Sequence, residues 1–183
     1  AGMTIDRQCS SGMMAICTGA KQILYDGMDV VVAGGLESVS LVQNEHANSF
    51  RMQDPTVTGH AEHAYMSMIE TAETVAKRYG VNREDQDRYG VQSQARTAAA
   101  QEAGRFDDEI VPVTVTKALV NKETGEVGYE TTTVSKDEGN RPGTRYEDLE
   151  RLKPVFEGGV IAAGNASQLS DGASASVVMS SEL

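Results

Sequence analysis

Met3-Thr4-Ile5-Asp6-Arg7-Gln8-Cys9-Ser10-Ser11-Gly12 runs directly into Met13-Met14-Ala15-Ile16-Cys17-Thr18-Gly19-Ala20, and after Gly27 comes Met28-Asp29-Val30-Val31-Val32-Ala33. Residues Met3 to Asp6 read as the end of a strand. From Cys9 to Asp26 the apolar residues Met13, Ile16, Cys17, Ala20, Ile23 and Leu24 recur at helical spacing. Gly27 is placed to close that helix in the left-handed conformation. Val30 to Ala33 is then an unbroken apolar run, the pattern of a strand covered on both faces in a parallel sheet. Strand, helix, strand predicts an α/β fold and puts Cys9 where a strand turns into a helix.

Outward from this unit the pattern changes. Glu37 to about Asp54 is polar, which marks a departure from the sheet into an inserted region. Met68, Ala72, Val75, Ala76 and Tyr79 keep a helical stripe that Gly80 closes, and Asn82 then caps a second helix running toward Gly104, with Asp85 at its third position. Two antiparallel helices are expected there. Ile110–Leu119 and Val127–Val134 are β-branched runs on either side of Asn121–Glu126, a hairpin with Gly125 supplying the positive φ. Asp137–Thr144 reads as a loop, Glu147–Lys153 as a short helix stopped by Pro154, and Gly158–Asp171 as a loop leading into a buried strand, Ala173–Ser180. The division predicted is a core portion 1–41, an inserted α+β domain 42–158 and a return to the core at 159–183. With no initiator methionine and a strand so near its end, the chain is expected to be an internal fragment of a longer protein.

The net charge is −11 and no run of Lys and Arg is long enough to track phosphates, so nucleic-acid binding is not expected. No apolar stretch approaches the roughly 20 residues that span a bilayer, so no membrane partner is expected. The two cysteines, Cys9 and Cys17, have no companion at metal-ligand spacing; free thiols, no metal and a cytoplasmic location follow. An acidic protein can still hold an anionic ligand where a few basic groups or helix N-termini are concentrated.

At a strand-to-helix turn, unpaired backbone N–H groups and the helix dipole favour a cysteine thiolate. Ser10, Ser11 and Gly12 are small enough to let backbone approach a substrate. Taken alone, Cys9 fits two readings, a nucleophile or a small buried hydrophobe.

Four blocks decide between them by resemblance. Arg7-Gln8-Cys9-Ser10-Ser11-Gly12, with Val32-Ala33-Gly34-Gly35-Leu36-Glu37-Ser38 at this interval, resembles the nucleophile helix and next strand of the thiolases. Met68-Ile69-Glu70-Thr71-Ala72-Glu73 is similar to that family's Met-x-x-Thr-Ala-Glu. Arg141 through Leu152-Lys153-Pro154-Val155-Phe156 resembles its Arg-x-x-Thr…Leu-x-Pro-x-Phe, and Ala163-Gly164-Asn165-Ala166-Ser167…Asp171-Gly172-Ala173 matches in order. Together they span nearly the whole chain.

The resemblance implies a layered αβαβα fold, of which this chain holds part of the first half plus the inserted loop domain, and an acyltransferase acting on acyl-coenzyme A. Two acetyl-CoA are condensed to acetoacetyl-CoA, or a 3-ketoacyl-CoA is thiolytically cleaved, through an acyl thioester on Cys9. The Cys9 backbone N–H is implied as one oxyanion donor; loss of such a donor elsewhere costs on the order of 3–4 kcal/mol. Coenzyme A is the substrate, with no tightly bound cofactor. By match, Arg141 lies near its nucleotide end, Ser167 and the adjoining Ala166 near the pantetheine, and Met68 along the pantetheine tunnel. Each residue also has a plainer reading: Arg141 a solvated loop arginine, Ser167 a turn hydroxyl, Met68 a core side chain. The intact protein is expected to be a homodimer or homotetramer.

Departures limit the transfer. Ser67 stands where many thiolases have a His, and Ile69 where many have Gly. His46, His60 and His63 match no catalytic histidine of the family, Cys17 reads as packing, and Asp171-Gly172 as a turn. The base in Gly-His-Pro, the second cysteine in Cys-x-Gly and the Asn of Asn-Glu-Ala-Phe are expected outside this chain, which alone should lack turnover. Two other readings are a thiolase-like protein that binds acyl-CoA or lipid without catalysis, and a ketoacyl synthase.

Overall fold

A computed structural model describes residues 2–183, and these divide into two compact units, 2–52 with 169–183 and 53–168. Each is considered by itself.

The first unit is one helix on a two-stranded sheet. A 3-10 turn at Gln8–Ser10 leads into α1, Ser11–Tyr25, and Gly27 takes φ 72° just past its end, as its position predicts. β1, Val30–Glu37, pairs with β4, Gly172–Met179, and the short helix α2, Val39–Val42, follows β1. Two expectations are corrected. Residues 2–7 form no strand, because no neighbouring strand pairs with them among the described residues, and the β1–β4 ladder is antiparallel rather than parallel.

The packed face of this sheet is narrow. α1 lies against it through Gly19, where a Cβ would sit 3.1 Å from Val31 Cγ1, and Ala33 is buried. Gly34 permits the close approach of β4, since a Cβ there would come within 2.6 Å of the Ser174 carbonyl. On the opposite face Val30, Val32 and Leu36 alternate beside Val177 and Met179, all exposed. The anticipated double cover of β1 and burial of β4 are therefore absent here. Most of the predicted stripe on α1, including Met13, Ile16, Cys17 and Leu24, is also exposed: the small residue Gly19, not those side chains, makes the sheet contact. Asp171 ties the two strand ends together by accepting from the Ser40 backbone N–H (3.0 Å), the Ser40 hydroxyl and the Ser38 hydroxyl (3.3 Å). The Ser40 hydroxyl foremost, then its N–H, holds the Asp171 carboxyl below its usual range.

The second unit is helical with one hairpin. α3, Pro55–His60, is capped by Asp54; α4, Met68–Tyr79, by Ser67; and α5, Arg83–Glu102, by Asn82, whose side-chain oxygen accepts from the Asp85 N–H at 2.8 Å. Ser67 and Glu70 form a reciprocal box: the Ser67 N–H donates to Glu70 (2.9 Å) and the Glu70 N–H to the Ser67 hydroxyl (3.2 Å). Such caps each stabilise a helix by about 1 kcal/mol. Gly80 closes α4 at φ 68°. α5 makes its close approach to α6, Tyr146–Glu150, and among the described residues not to α4, so the expected side-by-side pair of α4 and α5 is not formed. Gly90 and Gly164 explain the choice, because a Cβ on Gly90 would lie 2.9 Å from the Gly164 carbonyl and one on Gly164 would collide with Leu149. β2, Val113–Val120, and β3, Val127–Val134, form the predicted hairpin, with Gly125 at φ 74°.

The core of this unit contains a charge. Asp87 is fully buried and accepts from Arg83 Nε at 2.7 Å and from Asn165 Nδ2 at 3.0 Å, while Arg83 donates onward to the carbonyls of Leu149 (2.6 Å) and Leu152 (3.1 Å). Ala76, Leu149, Ile161 and Ala162 are the buried apolar residues of the unit. A buried carboxylate is tolerated because its acceptor sites are filled by cationic and amide donors.

Candidate functional site

Cys9 stands exposed on the 3-10 turn at the head of α1. Its surroundings are made by three local bonds. The Arg7 N–H donates to the Ser11 hydroxyl oxygen (2.8 Å), the Ser11 hydroxyl donates to the Gln8 carbonyl (2.7 Å), and the Gln8 N–H donates to the Asp6 carboxylate (2.9 Å). Between them Gln8 is held at φ 51°, a left-handed conformation that costs a side-chain-bearing residue on the order of 1 kcal/mol or more. The strained turn is kept by a closed set of bonds beside an exposed thiol, so Cys9 is not a packed core cysteine.

Cys17 is different. Cys17-Thr18-Gly19 spells Cys-x-Gly, so the letters of the second-cysteine motif do occur in this chain, contrary to the expectation that they lie wholly outside it. The triplet is inside α1, roughly 12 Å along the helix axis from Cys9 at a rise of about 1.5 Å per residue, with Gly19 sealed against Val31. Cys17 is exposed on α1 rather than packed as expected, and its position along the helix does not set it against Cys9.

The remaining predicted residues all belong to the second unit, on three segments. Met68 is the first residue of α4 and is 73% exposed, so it is not a core side chain. Arg141 is exposed in the loop before α6; its N–H donates to Gln94 Oε1 (2.9 Å) and its carbonyl accepts from the Thr144 hydroxyl (2.7 Å). Asn140 strengthens that hold by donating to the Gln94 carbonyl and side-chain oxygen, at 3.0 and 2.8 Å. Ala166 and Ser167 are exposed and adjacent, and the Ser167 hydroxyl makes only a 3.3 Å contact to the next carbonyl, leaving it available.

The loop carrying Ala166 and Ser167 is strongly anchored. Glu73 accepts from the N–H groups of Val160 and Ile161, and Asn165 accepts from the Ala162 N–H (2.9 Å) while donating to the Val160 carbonyl (3.0 Å). Sequence reading passed over Ser11, Glu73, Asp87, Gln94 and Asn165 as functional groups. The Arg83–Asp87 pair had a signal, its helical i,i+4 spacing, and Glu73 and Asn165 lay inside recognised blocks; Gln94 had none. Ser67 explains one departure, since a hydroxyl there serves as the α4 cap. His46 lies 3.7 Å from Glu45, an exposed neighbour pair. Among the described residues no cluster of His, Cys, Asp and Glu is suited to a metal, and no helix is long and apolar enough to cross a membrane.

Comparison with known proteins covers nearly the whole chain. The family described as thiolase, N-terminal domain, matches residues 1–182. The 3-ketoacyl-CoA thiolase of Bacillus subtilis (strain 168) is 41% identical over 181 residues, 98% of this chain and 46% of that protein. The peroxisomal 3-ketoacyl-CoA thiolase B of Mus musculus is 43% identical over 175 residues, covering 94% of this chain and 39% of its own. The crystal structure of human mitochondrial 3-ketoacyl-CoA thiolase in complex with CoA superposes with a TM-score of 0.74 at 35% identity, over 98% of this chain and 45% of that one. The chain thus spans somewhat less than half the length of these relatives.

Proposed function

Because the chain belongs to the thiolase family, whose N-terminal domain it matches over residues 1–182, we propose that the protein transfers acyl groups to and from coenzyme A through a covalent acyl-Cys9 intermediate. Its thiolase-like α/β fold is shared with the human enzyme. The single observation that carries the chemistry is the exposed Cys9 thiol on a turn whose preceding residue is held left-handed by the Ser11 and Asp6 bonds.

In the thiolytic direction the Cys9 thiolate adds to the 3-keto carbon of a 3-ketoacyl-CoA. The bond between carbons 2 and 3 then breaks, its electron pair passing to carbon 2, which takes a proton and leaves as acetyl-CoA. Coenzyme A thiolate attacks the resulting thioester and expels Cys9 as thiolate. Run backwards with acetyl-CoA, the same steps give acetoacetyl-CoA. The Cys9 N–H, at the helix entrance, is assigned to the developing oxyanion.

The second unit is assigned the coenzyme itself, with Arg141 toward the nucleotide, Met68, Ala166 and Ser167 toward the pantetheine. Their exposure, and the anchoring of the Arg141 and Ser167 loops through Gln94, Glu73 and Asn165, support that role. Assembly of the whole protein into a homodimer or homotetramer belongs to the same proposal. A cytoplasmic location accords with the free thiols of Cys9 and Cys17, although named relatives include peroxisomal and mitochondrial proteins.

The test is coenzyme-A-dependent loss of acetoacetyl-CoA by the full-length protein, wild type against Cys9→Ala. Turnover is expected in wild type and falls to background in the variant. Undiminished turnover in Cys9→Ala removes Cys9 from the mechanism, and coenzyme A binding without turnover in wild type transfers the protein to the non-catalytic acyl-CoA-binding class.

A further inference from the structure

We propose that Glu73 is a positioning residue for the Ala166–Ser167 loop, setting its place for coenzyme A through the backbone of Val160 and Ile161. The inference rests on the reading that this loop contacts the pantetheine.

Glu73 uses its carboxylate as a two-point clamp. Oε1 accepts from the N–H groups of both Val160 (2.9 Å) and Ile161 (2.8 Å), and Oε2 accepts a second, longer bond from Val160 (3.1 Å). Two consecutive backbone donors on one carboxylate fix the direction of the chain as well as its distance. No Lys, Arg or His forms an ion pair with Glu73 among the described residues, so its charge is matched by these N–H dipoles. The clamp needs Gly159, because a Cβ there would run into Glu73 Oε1. The residue after the clamp, Ala162, is fully buried.

The position is passed on by Asn165. Its Oδ1 accepts from the Ala162 N–H and its Nδ2 donates both to the Val160 carbonyl and to the buried Asp87 carboxylate. Residues 160–165 are thereby a closed, side-chain-locked turn whose start is held by Glu73 on α4 and whose end leads straight to Ala166 and Ser167. A displacement at Val160 and Ile161 therefore moves the two residues assigned to coenzyme A, whereas Glu73 itself reaches only backbone.

A merely structural role would lower the amount of folded protein and leave each folded molecule's affinity for coenzyme A intact. The experiment measures kcat and KM for coenzyme A in thiolysis by the full-length enzyme, normalised to alkylatable Cys9, for Glu73→Asp, Glu73→Gln, Gly159→Ala and Ser167→Ala. Glu73→Asp withdraws the carboxylate by one methylene and is expected to raise KM about tenfold with kcat little changed. Glu73→Gln keeps one acceptor oxygen but turns an amide toward the Val160 N–H, and is expected to raise KM about threefold. Gly159→Ala should resemble Glu73→Asp. Should Glu73→Asp not accumulate as folded protein, the graded Gln variant carries the test. Unchanged KM in the Glu73 variants, with a lowered melting temperature and a raised KM in Ser167→Ala, overturns the positioning role and leaves the coenzyme reading standing. Unchanged KM in Ser167→Ala and in the Glu73 variants alike sinks both. A raised KM in the Glu73 variants with a silent Ser167→Ala keeps the positioning role and moves the contact to Ala166.

Discussion

A left-handed Gln8 next to an exposed thiol is held by the Asp6 carboxylate, which accepts from its N–H, and by the Ser11 hydroxyl, which accepts from the Arg7 N–H and donates to the Gln8 carbonyl. Removing that hydroxyl leaves both backbone groups to solvent and frees Gln8 to relax to negative φ, which re-aims Cys9. Ser11→Ala is therefore expected to slow both turnover and iodoacetamide alkylation of Cys9 by about tenfold, the lower end of what two lost hydrogen bonds of this kind cost. Alkylation and kcat within twofold of wild type would show that the turn holds without Ser11. At this scale the sequence singles out Cys9 as the candidate nucleophile, through its place among small residues at a helix entrance and the resemblance of its block to the thiolases. It is silent on what holds that residue, because Ser11 acts through a backbone conformation that no spacing reveals. Glu73 and Asn165 were likewise quoted as letters of a pattern, while their partners lie 87 and 78 residues away in sequence.

Element by element, caps and glycines were the readable part. Asn82, Gly27, Gly80 and Gly125 all sit where helix-end and turn chemistry predicts, since each acts on its immediate neighbours. The Asp54-Pro55 start of α3 obeys the same rule and was overlooked inside a polar stretch. Pairing was not readable: the antiparallel partner of β1 lies more than 130 residues on, and an apolar run alone cannot specify direction or cover. Asp171, taken only as a turn residue, is what joins the end of that ladder to the start of α2. Hydrogen bonds from Ser40 and Ser38 lower its pKa in the folded chain relative to the unfolded one. Its contribution is thus fully present above the unfolded carboxylate value of about 4 and is lost as pH falls through the lower folded value. Asp171→Asn is expected to lower the melting temperature by a few degrees at neutral pH, with the two proteins converging in acid. A difference that persists undiminished below the carboxylate range would assign the effect to shape rather than charge.

At the scale of the molecule, two compact units divide the work proposed for them, nucleophile in one and coenzyme contacts in the other. The first unit leaves Val32, Leu36 and Val177 60% or more exposed on the open face of its sheet. Hydropathy alone could not show this, because the same valines that read as buried on both sides have a helix on one side only. The family reading survives such local failures because its four blocks are spread over nearly the whole chain and are tied to chemistry by one thiol. That thiol is open to direct inspection by intact-mass spectrometry of the full-length protein after exposure to acetyl-CoA, wild type beside Cys9→Ala. One added acetyl group is expected, located on Cys9 and absent from the variant; an unmodified wild-type protein that still turns over substrate, or an acetyl group that persists in Cys9→Ala, would contradict the covalent role of Cys9.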